Sequence, residues 1–187
     1  EFVPQLSRQY QDLSLYFAGE AEQQAETQSS MQSVFILALL SIFALLAIPL
    51  KSYVQPLIIM TAIPFGIVGA IIGHWSNGLM ISLLSLNGIL ALSGVVVNDS
   101  LLLVSRFNAL REEGVPVETA VIEACTSRLR AVLLTSITTF VGLYPILGET
   151  SVQAQFLIPA AASLGYGILF ATVITLLLIP ALLLIYD

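Results

Sequence analysis

Charge is what this sequence has least of. Asp, Glu, Lys and Arg make up 10% of its 187 residues, against roughly 25% in an ordinary soluble domain. So little polar surface cannot cover a fold in water, which rules against a soluble enzyme. A single cysteine, Cys125, leaves no intramolecular disulfide and no cysteine-cluster metal site. Basic residues are scarcer than acidic ones, six against twelve for a net charge of −6, so there is no basic footprint for nucleic acid. No phosphate loop, metal-ligand cluster or nucleophile constellation is present. Neither a cofactor, a metal nor an enzymatic activity is expected. The start, Glu1 to Ser30, is polar and acidic and lacks the positively charged n-region and short apolar core of a signal peptide. The chain begins without a methionine and stops at Asp187 directly after an apolar run, so it reads as a piece of something longer.

What is abundant is apolar: 57% of the side chains are hydrophobic and the mean hydropathy is +0.95. From Ser33 to Ser105 the only formal charges are Lys51 and Asp99, and from Ala131 to Tyr186 there is only Glu149. About 20 helical residues cross a hydrocarbon core of roughly 30 Å, so these runs predict an all-α bundle of five membrane spans. They fall at about 33–50, 56–73, 79–105, 130–147 and 156–186. The first span continues a helix that starts near Glu20, where no Gly or Pro interrupts the sequence before Pro49. Leu13–Ala18 suits a short strand. Residues 116–127, with Val117, Ala120, Val121 and Ala124 at helical spacing, predict a short amphipathic helix along the surface. The organisation is therefore a segment 1–32 leading into the membrane and a five-span domain 33–187.

Orientation follows from the basic residues. Five alternating spans put Lys51, Arg106, Arg111, Arg128 and Arg130 on one side, which the positive-inside rule makes cytoplasmic. The N-terminus is then outside and the C-terminus inside. Within the bilayer, Asp99 needs an explanation, since an acidic residue at mid-span costs about 2.5–3.5 kcal/mol on insertion scales. It lies among Asn98, Ser100, Ser93 and Gly94. Two readings stand: a protonated carboxyl that bonds a neighbouring helix, or a site in an ion or proton path. Arg128, Thr135 and Gly142 are spaced by seven and share a helix face. Thr138 and Thr139 suit bonds to their own backbone, and Thr135 suits that role or a relay equally. Gly66, Gly69 and Gly73 form a small-residue stripe where another helix packs closely, Gly142 is expected at a close helix contact too, and Pro64 suits a kink. His74 reads as an exposed interfacial loop residue, and Cys125 as a small packing residue.

The run Gly94-Val-Val-Val-Asn98-Asp99-Ser-Leu-Leu-Leu-Val104 is followed by Glu118 to Ser136, which contains Arg128-Leu-Arg130 and Thr135-Ser136, and then by Gly142-Leu-Tyr-Pro145. Together they resemble the resistance–nodulation–division (RND) transporters of the AcrB/AcrD/AcrF type, over essentially all 187 residues. The resemblance implies the last five of twelve spans, with residues 1–30 ending the second large periplasmic loop. It implies a bacterial inner-membrane exporter that couples inward proton flow to efflux of drugs or other amphiphiles. It also implies a homotrimer with a periplasmic adaptor and an outer-membrane channel, in which this portion needs membrane lipid and the N-terminal half of the same transporter and is inactive alone. Thr135 matches the family's relay threonine and Arg128 the arginine two turns earlier. The family's lysine–asparagine pair on the tenth span reads Asn98-Asp99 here, and Ala131 stands where the family has proline. A relative that assists protein export or senses lipid, and a structural bundle without transport, are the alternative functions.

Overall fold

The computed structural model describes residues 20–186; the strand expected at Leu13–Ala18 lies outside them. Among the described residues seven helices occur in this order: α1 Glu20–Leu50, α2 Val54–Met60, α3 Ala62–Ser76, α4 Leu83–Glu112, α5 Val117–Leu147, α6 Val152–Gln155 and α7 Ile158–Tyr186. No strand is found among the described residues, and five stretches are long and apolar enough to cross a membrane. The all-α membrane bundle predicted from composition is therefore the observed fold. The chain divides into the units Glu1–Leu37 and Ala38–Asp187, and α1 runs from the first into the second. All packing described below lies within the second unit.

Turn chemistry sets the span limits. The second span is longer than 56–73 and consists of α2 and α3, which meet at Thr61. Pro64 has no N–H to offer the carbonyl four residues back, and the Thr61 hydroxyl bonds Ile58 O at 2.6 Å. The third span starts at Leu83 rather than Leu79. Gly78 takes a positive φ of 64° to turn the chain, and Ser82 and Ser85 then bond reciprocally in a capping box. It continues past Arg106 to Glu112 and stops before Gly114, whose φ is 83°.

One expectation needs correction. Residues 116–127 and 130–147 are not two helices but one, α5. No glycine or proline falls between Val117 and Val141, so nothing breaks the backbone ladder at Arg128–Arg130. The apolar face of its first turns is also not laid along the surface. Ala120, Val121 and Ala124 are buried in one cluster with Leu103, Phe107 and Leu110 of α4, and Cys125 packs against that cluster.

α7 is the helix on which α3, α4 and α5 converge. It runs antiparallel to α3, as Gly73 lies at Tyr166 and Gly66 at Ala171, and parallel to α4, as Gly88 lies at Ala160 and Leu92 at Gly167. Two apolar clusters form along it. One joins Leu92 and Val96 to Ile168 and Ala171, and the other joins Leu103 and Phe107 to Ile179 and Leu183.

Candidate functional site

Asp99 sits on α4 between those two clusters. It is 8% exposed, and among the described residues no hydrogen bond or ion pair reaches its carboxyl. Arg106, seven residues on and thus on nearly the same face, pairs with Glu123 of α5 at 2.9 Å. Asp99 is therefore directed towards the α5 side of the bundle. The neighbouring Asn98, turned by about 100° along the helix, is exposed. The adjacent pair is thus divided between the interior of this bundle and its outer face.

On α5 the inward stripe is Ala120, Ala124, Arg128, Val132 and Ser136, at four-residue intervals. Arg128 is half-buried on it. The Arg106–Glu123 pair fixes the antiparallel register of α4 and α5 and brings residues 128–130 roughly level with Asp99, although the two side chains form no ion pair. Ser136 bonds Thr172 of α7 at 2.5 Å and its own Val132 O at 2.9 Å. Thr135 is exposed and donates to Ala131 O at 2.9 Å, so these helices do not bring it to Asp99. Thr138 and Thr139 likewise bond carbonyls of their own helix. Gly142 is also turned outward. A Cβ there would meet no atom within 4 Å, so the close helix contact expected at this glycine is absent among the described residues. The heptad spacing relates these side chains to one another but does not say which way the shared face points.

The α3 stripe has the opposite character. A Cβ on Gly69 would come within 2.5 Å of Phe170 Cβ, and one on Gly73 within 2.5 Å of Tyr166 Cβ, while Gly66 packs on Leu92. Where that stripe ends, the expectation for His74 is overturned. His74 is 3% exposed, with Nδ1 2.9 Å from Ala70 O and Nε2 2.7 Å from Ser85 Oγ. The turn at residues 77–82 folds α4 back so that its capping serine reaches the ring. Sequence reasoning also passed over Thr172 and Thr175, although two threonines one turn apart in the apolar run of α7 were a visible signal.

The model of the AcrB/AcrD/AcrF family matches residues 3–187. The chain belongs to that family. It is 34% identical over 166 residues to the cobalt-zinc-cadmium resistance protein CzcA of Cupriavidus metallidurans, covering 89% of this chain and 16% of that protein. It is 28% identical over 172 residues to the multidrug resistance protein MdtC of Pectobacterium atrosepticum, covering 91% and 17%. The crystal structure of a heavy metal efflux pump superposes with a TM-score of 0.81 at 25% identity, over 98% of this chain and 19% of that one. The chain thus spans about a sixth of the length of the curated relatives it matches. It is a membrane portion of an RND-family transporter, multi-pass in the inner membrane. Among the described residues no group of three or more His, Cys, Asp or Glu side chains could hold a metal ion.

Proposed function

We propose that this chain is the carboxyl-terminal membrane half of an RND exporter driven by the proton-motive force, with Asp99 as a proton-carrying group. The observation that carries the reading is an aspartate, 8% exposed as a residue, in an apolar span, whose carboxyl has no bonding partner among the described residues. An intramembrane acid is retained against a cost of about 2.5–3.5 kcal/mol, and such groups mark ion and proton routes. Moving one charge across the potential yields about 2.3 kcal/mol per 100 mV, which is of the size needed to drive a helix rearrangement. No covalent reaction is part of this function. In the proposed topology Lys51 and the four arginines are cytoplasmic and the N-terminal segment is periplasmic. The complete protein is a trimer that works with a periplasmic adaptor and an outer-membrane channel, and residues 1–187 alone transport nothing.

Amphiphilic drugs are the proposed cargo. Divalent metal ions are a second reading, favoured by the 34% identity to CzcA. The test places the full-length transporter in a strain stripped of its own RND pumps and follows efflux of ethidium and of zinc ion. The proposal expects efflux that a protonophore abolishes and that Asp99→Asn removes without loss of protein from the membrane. Normal efflux by Asp99→Asn would refute it and leave Asp99 as a packing carboxyl.

A further inference from the structure

The groove between α4, α5 and α7 holds more polar chemistry than packing requires. Asp99 shares a helix face with Leu92 and Arg106, each seven residues away, within about 20°. Leu92 lies against Gly167 of α7, and Arg106 reaches Glu123 of α5. The face that carries Asp99 therefore looks into the space between α5 and α7. On α7, Ala171 clusters with Val96 of α4 and Thr172 bonds Ser136 of α5. Thr175, one turn later, is directed between those two neighbours.

Depth agrees with direction. Gly88 opposite Ala160 and Ser163, and Leu92 opposite Gly167, run the parallel helices in step at an offset of about 75 residues. Asp99 is then level with the turn that ends at Thr175. Thr175 is 4% exposed and its Oγ1 has no hydrogen-bond partner among the described residues. Its behaviour differs from that of the other hydroxyls nearby: Ser93, Ser100 and Ser136 each bond the carbonyl four residues back. Ser163, the other unpartnered hydroxyl, lies at Gly88, three turns away from this level. A carboxyl and a buried hydroxyl, each without a partner among the described residues, thus occur at one depth between α4, α5 and α7. Arg128 and Arg130 of α5 are the charged groups nearest that level, the first half-buried and the second exposed; α7 and α3 bring none there.

We propose that Thr175 is a positioning residue for Asp99 and that its hydroxyl holds the carboxyl in the α4–α5–α7 groove through the protonation cycle. A hydroxyl both donates and accepts. It can donate to the ionised carboxylate and accept from the protonated acid, which a backbone carbonyl cannot do. This assignment rests on Asp99 as the proton-carrying group, and it moves the relay's hydroxyl from Thr135 on the fourth span to the fifth span.

The test uses the full-length transporter in proteoliposomes, with ethidium and zinc ion as cargo probes and proton flux as the readout over a pH series. Thr175→Val should lower coupled flux about tenfold and displace its pH midpoint, the scale of one lost hydrogen bond to a charge-bearing group, while Thr175→Ser stays within about twofold. Wild-type flux and midpoint in Thr175→Val, with Asp99→Asn inactive, would overturn this inference and leave the proposed function standing. Active Asp99→Asn would overturn both. If Thr175→Val does not assemble, the infrared carbonyl band of protonated Asp99 decides between Thr175→Ser and Thr175→Ala. A shift between the two supports the proposal, and an unmoved band refutes it.

Discussion

Two glycine-to-alanine substitutions separate what a bare helix gains from what a helix contact loses. At Gly142 an added methyl meets nothing within 4 Å, so Gly142→Ala should show the helix propensity gain alone, about 1 kcal/mol. At Gly69 the same methyl would lie 2.5 Å from Phe170 Cβ and 3.0 Å from the Tyr166 carbonyl oxygen. Ordinary carbon contacts are roughly 3.5–4.0 Å, so α3 and α7 must part by about an ångström. Neither obstructing atom is the tip of a flexible side chain that could swing away. Overpacking of this kind costs about 1–3 kcal/mol, which offsets the propensity gain and more. Gly69→Ala should therefore fall below Gly142→Ala by about 1–3 kcal/mol, and the difference isolates the contact. Denaturant titration of the 187-residue chain in detergent, followed by helical circular dichroism, measures both. Equal midpoints for the two variants would refute the claim that the α3–α7 approach stabilises the bundle.

Three further outcomes are expected. His74→Ala removes two buried hydrogen bonds, to Ser85 Oγ and to the Ala70 carbonyl, and should cost about 1–3 kcal/mol of stability, whereas an unchanged thermal midpoint would show that the ring is dispensable. A double-mutant cycle with Ser136→Ala and Thr172→Val should give a coupling near 0.6 kcal/mol, the usual size for hydroxyl bonds between membrane helices; additive effects would remove that bond from the account. Cysteines introduced at Glu113 and Glu149 of the full-length protein should differ in labelling by an impermeant thiol reagent in intact cells. Glu149 should react and Glu113 should not, and the reverse would invert the proposed topology.

The spans were legible because a run such as Ile158–Tyr186, free of formal charge, has few solutions other than a membrane helix. Boundaries were less so. Arg128 and Arg130 look like the end of a span, yet a helix continues through charged residues wherever its backbone bonds are uninterrupted, and α5 does. His74 was misread because its partner Ser85 lies beyond a turn whose direction depends on Gly78 and the Ser82 cap together. Asp99 stood out on cost alone. Its surroundings did not, because spacing fixes the angle between Asn98 and Asp99 but not which of them faces α7. Thr135 was favoured by likeness to relatives, whereas the packing of these five spans turns it outward and draws Thr172 and Thr175 inward.

The convergence of α3, α4 and α5 on α7 has a consequence for biosynthesis. Gly73 is translated 93 residues before Tyr166, the side chain it packs against. At about 5–20 residues per second the glycine seam of α3 waits roughly 5–20 s for its partner. During that interval α4 and α5 are themselves made, with no common helix to close around, and the Ser136 hydroxyl has only its own backbone to bond until α7 follows. Closure of this bundle is thus scheduled by the emergence of α7, and a chain stalled before Ile158 would leave the small-residue face of α3 open to lipid and to quality-control proteases.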